Sequence, residues 1–276
     1  MAIEILSSGY TLVEAPRVDE QQRLYFSDVR GNGGVYRRHP DGRIETLIPK
    51  RKGVGGLALD QSGGFVCGGR GLIYWDEKTR QSRDIFTEFE GRPLKGLNDL
   101  QPDDQGSVYV GSLESDEKQQ IPCNLFRVDP GGAVTKVWEG IQVTNGMGFS
   151  PDRKLLYHCD TATEAVWVYD VMPDRTLKDR RVFARVEGWP DGMAVDAEGG
   201  VFVAMAHGGA VVRIKSNGTI DRRIRIPQSF VTSVTFGGPG LQDLYVVTAR
   251  DKTMMGTIFR MRSEVPGLPI PKTRFA

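Results

Sequence analysis

Short apolar runs, each closed by a turn of Gly, Asn, Asp or Pro, follow one another along the whole chain. Nowhere does a long 3.6-residue period predict an extended helix. The first group predicts four strands: Val13–Val18, Leu24–Asp28, Gly34–Arg38 and Ile44–Ile48. Their connections, Asp19–Arg23, Arg30–Gly33 and His39–Arg43, carry the Gly and Asn that tight turns use for positive backbone angles. Alternation through Val35, Tyr36 and Arg37 fits a half-buried antiparallel strand. Later groups repeat the order, as in Leu155–Cys159, Ala165–Tyr169 and Arg180–Phe183. The last group ends at Gly256–Met261, one strand short, before the Pro-rich Pro266–Thr273. The apolar segment Ile3–Leu6 is expected to supply that strand, closing a ring and removing the exposed edges of an open sheet.

Each group opens on a related stretch: VEAPRVDEQQ, VGGLALDQSG, NDLQPDDQG, TNGMGFSP, PDGMAVDAEG and VTSVTFGGPG. Their equivalent positions are Glu14, Gly55, Asn98, Asn145, Asp191 and Ser233, spaced by 41 to 47 residues. A period in that window, with strands in every unit, marks a β-propeller. The expected architecture is therefore all-β, a six-bladed propeller of four antiparallel strands per blade, with residues 1–276 as one domain. Equivalent positions then meet around one axis. Antiparallel order brings the connections between second and third strands to that same end. The longest of these, Ser112–Cys123, is polar and acidic, and a loop of that length is expected to act as a lid.

A net charge of +1, with acids and bases interspersed, argues against nucleic acid or an anionic membrane as partner. Cys67, Cys123 and Cys159 are odd in number and have no paired spacing. The N-terminus lacks a basic region and a long apolar run, and no segment approaches a membrane span. A cytoplasmic location is the expectation; the oligomeric state is not legible.

Glu14, Asn98, Asn145 and Asp191 converge in this scheme as two carboxylates and two carboxamides. Oxygen donors suit a hard cation such as Ca²⁺ or Mg²⁺, whereas Zn²⁺ would favour His or Cys. Taken singly, each could be a turn residue capping a strand start. Four in register make a site. No G-x-S-x-G elbow is present. His158 lies within a strand as a core histidine, and His207 lies on a loop at the mouth, either touching substrate or not. Arg250, Asp160 and Asp99 also lie at or near this end.

At these residues the chain resembles the senescence marker protein/gluconolactonase/luciferin-regenerating enzyme family. The matching pieces are E-A-P with L-Y-F-S-D, L-N-D, T-N-G-M-G-F-S-P-D, P-D-G-M-A-V-D and F-G-G with L-Y-V-V-T-A-R. The resemblance implies a six-bladed propeller with one divalent cation in its channel, Ca²⁺ first, with Mg²⁺, Mn²⁺ or Zn²⁺ as alternatives. It implies Glu14, Asn145 and Asp191 as ligands, with Asn98 and Asp99 beside the ion, and hydrolysis of lactones. The family commonly has Gly after the Glu, and Trp four positions after it; Ala15 and Val18 stand there. Its sugar-lactone hydrolases often carry Arg two positions before the Asn, where this chain has Gly96, leaving Lys95 or Arg92 to substitute.

The reading is a metal-dependent hydrolase of lactones or related esters, with Asp191 or Asp99 as general base. Asn98, His207, Arg250, Lys95 and Trp189 are the candidate substrate contacts. Trp189, Met205, Met254 and Met255 suggest a substrate less polar than a sugar lactone. The alternatives are a non-catalytic Ca²⁺- or ligand-binding propeller, an esterase or phosphotriesterase, and an isomerase or cyclase on the same site.

Overall fold

Six four-stranded antiparallel sheets carry the chain, in a computed structural model that describes residues 2–114 and 121–276. Each sheet is one blade. The innermost strands are Val13–Val18, Leu57–Leu59, Leu97–Pro102, Thr144–Phe149, Pro190–Val195 and Val231–Gly237. Neighbouring inner strands pack on one another around the ring. Inner strands are buried almost end to end, because both faces of each blade meet another blade. Between blades 4 and 5, for example, Tyr157, Val166, Val203 and Val212 share one core. Each such side chain contributes about 1.5–3 kcal/mol when fully buried. Outermost strands such as Leu177–Arg185 keep one face in water, which is why their sequence is charged.

Blade 6 takes its outer strand, Glu4–Tyr10, from the start of the chain and pairs it antiparallel with Gly256–Arg262. The ring closes as the sequence indicated. Two features were not foreseen. A two-stranded hairpin, Glu88–Phe89 with Arg92–Pro93, stands between blades 2 and 3. The Pro-rich tail is also ordered, crossing the far mouth of the channel as a strap. Leu268 N–H donates to Val195 O at 2.9 Å in blade 5, and Thr273 N–H donates to Leu59 O at 2.9 Å in blade 2. Asp60 Oδ2 then accepts from Thr273 Oγ1 and Phe275 N–H, both at 2.7 Å. Residues 115–120 of the expected lid lie outside the described residues. No helix among those described is long and apolar enough to cross a membrane.

Candidate functional site

The side chains at the starts of the inner strands are aimed by a repeated backbone irregularity. The pairing register slips between Glu14 and Arg17, Leu97 and Leu100, Thr144 and Met147, Pro190 and Met193, and Val231 and Ser233. A β-bulge bends a strand and re-aims the residue beside it. Here the slips bracket or adjoin Glu14, Asn98, Asn145, Asp191 and Ser233. In blade 1 the bulge holds Ala15 at φ 56°, a left-handed conformation that favours glycine. Blade 2 has a regular inner strand, and its equivalent position, Gly55, carries no side chain. A Cβ on its Gly55 would lie 2.0 Å from Asn98 Oδ1, so Asn98 occupies the space a donor from blade 2 would need.

Three acids are gathered in the channel, each more than nine-tenths buried: Glu14, Asp99 and Asp191. Burial, then repulsion from Asp191 and Asp99, pushes the Glu14 carboxyl well above its ordinary range; the Ala15 N–H opposes this. Asp191 is raised by burial and by Asp99, against the Gly192 N–H. Burial raises Asp99 to about 7 despite the guanidinium of Arg17, which draws it down. Arg17 is itself buried, donating from its two terminal nitrogens to Pro16 O at 2.7 Å and Leu100 O at 3.1 Å. The cluster has one fixed cation for three acids.

These residues fit a divalent cation. Glu14 Oε2 is buried and has no hydrogen-bond partner among the described residues, a costly state for a carboxylate oxygen unless an ion meets it. The carboxamide of Asn145 is also held in one orientation. Thr161 Oγ1 donates its single proton to Pro190 O at 2.7 Å, so it must accept from Asn145 Nδ2, also at 2.7 Å. Asn145 Oδ1 is thereby turned the other way, and Asn98 Nδ2 donates to it at 2.5 Å. Asn98 is held in turn by Thr144 O at 2.9 Å. Among the described residues no three His, Cys, Asp or Glu side chains are arranged to hold an ion by themselves. A carboxamide would complete such a donor set. Thr161→Val removes the acceptor that orients Asn145 and is expected to weaken divalent-cation binding by about 10- to 100-fold. Calorimetric titration checks this, and unchanged affinity would show that Thr161 does not orient the amide.

The remaining candidates are distributed unevenly. Trp189, 47% exposed, meets the His207 ring edge-on at 4.2 Å, and Phe230 meets the other side of His207 at 5.2 Å. These make an aromatic wall over blades 4 to 6. Lys95 turns its amine to Glu114 O at 3.3 Å, and Arg250 is exposed. Met205 is wholly buried in the core between blades 4 and 5, which overturns its expected place in the pocket. The alternation of its strand points it into the blade interface. His158 is the core histidine expected, 2.8 Å from Thr144 Oγ1, with its pKa lowered to about 3 by burial. Asp160 caps the amides of Gln142 and Val143 and pairs with Arg180 at 3.1 Å, a turn residue rather than a site residue. A cavity of about 280 Å³ under the far strap includes none of the three channel acids; donor chemistry, not volume, locates the site.

Thr161 and Arg17 escaped the sequence reading. Thr161 follows Asp160 in a turn with no motif of its own, and Arg17 falls three residues after Glu14 at a position that alternation alone would make ordinary.

The family model for the SMP-30/gluconolactonase/LRE-like region matches residues 12–250. A pentonolactonase of Haloferax volcanii is 33% identical over 237 residues, covering 83% of this chain and 78% of that protein. A 6-deoxy-6-sulfogluconolactonase of Pseudomonas putida is 32% identical over 267 residues, covering 91% and 90%. In three dimensions a luciferin-regenerating enzyme superposes with a TM-score of 0.88 at 24% identity, covering 99% of both chains.

Proposed function

Because the chain belongs to the SMP-30/gluconolactonase/LRE-like family, we propose that it hydrolyses lactones at the channel mouth, with a divalent cation held by Glu14, Asn145 and Asp191. The observation that carries this reading is the unpartnered Glu14 Oε2 beside Asp191 and the oriented Asn145 amide. Lactone-hydrolysing relatives at about a third identity support the reaction class.

A bound Ca²⁺ or similar ion supplies Lewis acidity towards the lactone carbonyl and a lowered pKa for water beside it. The protein's own residues do the rest. Asp99 is the better placed base. With Glu14 and Asp191 offset by the dication, Arg17 is left to balance Asp99, so all three carboxylates are ionised in a neutral cluster. Asp99 takes a proton from water as the oxygen adds to the carbonyl carbon. The ring C–O bond then breaks, and Asp99 returns the proton to the departing alkoxide, giving a hydroxy acid. Asn98 keeps the Asn145 amide in register, and the buried surroundings limit competing water.

For the substrate, the aromatic wall of Trp189, His207 and Phe230 supports a ligand with fewer hydroxyls than a sugar lactone. Gly96 lies against Leu113 and provides no guanidinium fork, and Lys95 points to a backbone carbonyl. Simple five- and six-membered lactones are expected to show higher kcat/KM than glucono-1,5-lactone. A pH-stat panel with and without added Ca²⁺ or Mg²⁺ measures both the activity and its metal dependence. A clear preference for the sugar lactone overturns the substrate reading, and absence of hydrolysis across the panel overturns the enzyme.

A further inference from the structure

The cations of this protein differ in how they are balanced. Some are matched by carboxylates: Arg37 with Glu45 and Glu77, Arg127 with Asp103 and Asp129, Arg213 with Asp196, Glu198 and Asp221; others, such as Arg43, Lys154 and Arg225, stand singly on the surface without one among the described residues. On the mouth side of blades 6, 1 and 2 several unmatched cations stand together. Arg250, Lys252, Arg30, Lys50, Lys52 and Arg70 are all exposed there, with no ion pair or side-chain hydrogen bond among the described residues. The acids of the same sector are committed or peripheral. Asp28 is buried and accepts from the amides of Thr11 and Leu12. Asp251 accepts from Ser229 and Thr253. Glu88 and Glu90 stand on or beside the small hairpin.

This sector adjoins the channel acids through the backbone. Gly69, next to Arg70, exchanges hydrogen bonds with Leu97, the neighbour of Asn98, at 2.7 and 3.3 Å. A Cβ on Gly69 would lie 3.4 Å from Lys52 O, so the two cation-bearing loops are packed together. Arg250 N–H donates to Thr11 O at 2.8 Å, three residues before Glu14. Blade 2 supplies only backbone at Gly55, so no side chain of that position stands between these cations and the axis. Across the mouth, Glu164 and Glu187 accompany the aromatic wall together with Arg185, Arg223 and Arg225, so acids and bases are mixed there. The mouth side of blades 6, 1 and 2 is thus a cationic sector without carboxylate partners among the described residues. An unpaired cluster of like charges opposes folding by self-repulsion, while at a cleft it focuses the field on an incoming anion.

We infer that the substrate carries a permanent anionic group, a carboxylate, sulfonate or phosphate, held over the cationic sector of blades 6, 1 and 2 while its lactone ring lies at the channel acids. This rests on the lactonase reading and narrows it: few hydroxyls are read, and one fixed charge is. Screening follows, because attraction from exposed side chains acts through solvent and decays over a Debye length of about 8–10 Å.

The test uses lactones bearing a carboxylate, sulfonate or phosphate monoester, each against its uncharged carboxamide, sulfonamide or alcohol counterpart. At about 20 mM salt, kcat/KM for the anionic member is expected to exceed that of the neutral member by about tenfold or more, mainly through KM. The ratio is expected to fall several-fold at about 300 mM salt, and by about fivefold in the Lys52→Gln/Arg70→Gln double variant. Cyclic ethers of the same pairs are titrated by calorimetry, so charge preference is read even where no lactone is turned over. Equal handling of the two members, by turnover or by ether binding, overturns the inference; so does a preference that survives both salt and the double substitution. The enzyme reading instead fails on absence of turnover, so the two failures are distinct. Preference confined to one of the three anions identifies the group.

Discussion

Asp191→Ala is expected to lower kcat/KM for a lactone by roughly a thousandfold or more and to weaken divalent-cation binding at least about a hundredfold. The substitution removes one of the two carboxylates that face the proposed ion. It leaves Glu14 as the sole acidic ligand, with Asp99 drawn down only through space by the charge of Arg17. Asp191→Asn keeps the shape and an oxygen donor but not the charge, and should fall between parent and alanine. Because the variant also relieves repulsion among buried acids, the metal-free protein should melt no lower than the parent. A fold defect and a site defect are therefore separable. Calorimetry with Ca²⁺ and Mg²⁺, alongside lactone hydrolysis, reads the result; parental affinity and turnover in the alanine variant would move the metal elsewhere.

The second large effect is on stability, and its sign reverses the usual behaviour of carboxylates. Glu14, Asp99 and Asp191 have folded-state pKa values above the ordinary carboxylate range, Asp99 at about 7. At these three sites the metal-free native protein therefore holds more protons than the unfolded chain above about pH 4. By linkage their contribution to stability falls as pH rises from there through about 7, as these groups are forced to ionise in burial. A bound dication removes that penalty and adds RT ln(1 + [L]/Kd), about 2.7 kcal/mol at a hundredfold excess over Kd. In a protein of this size that corresponds to roughly 5–10 °C in Tm. The gain on adding Ca²⁺ or Mg²⁺ is expected to be larger at about pH 7.5 than at about pH 5. Melts in chelator and in metal, at both pH values, measure it. Identical melts after verified metal removal would refute the stabilising role, and a larger gain at the acidic pH would refute the burial of ionised acids.

Much of this architecture can be read from the chain because the propeller is periodic. Six stretches with equivalent residues required one axis, and the missing strand of the last unit required a partner from Ile3–Leu6; the observed strand is Glu4–Tyr10. Periodicity is blind to what differs between units. The bulges at the inner strand starts leave no compositional mark except Ala15, whose left-handed backbone sits where the family usually has glycine. Arg17 acquires meaning only when Asp99, far along the chain, is folded beside it. Thr161 orients Asn145 through one proton whose destination is a carbonyl in the next blade. Met205 looked like a mouth residue by its nearness to His207, yet the two-residue period of its strand turns it into the core.

The pairing that closes blade 6 joins Glu4 to Arg260 and Tyr10 to Gly256. In kinetic language this is a contact of very high order, formed between segments almost a chain length apart. The entropy of such a closure grows only slowly with loop length, so the finished ring need not be weak. Its formation is nevertheless expected to be slow, because the search must succeed before the contact rewards it. Until then blade 1, which carries Glu14 and Arg17, is not seated against blade 6 and so is not fixed relative to blades 4 and 5. The proposed ligands are thus drawn from both sides of a seam, and cation affinity is expected to report the moment at which the circle is completed.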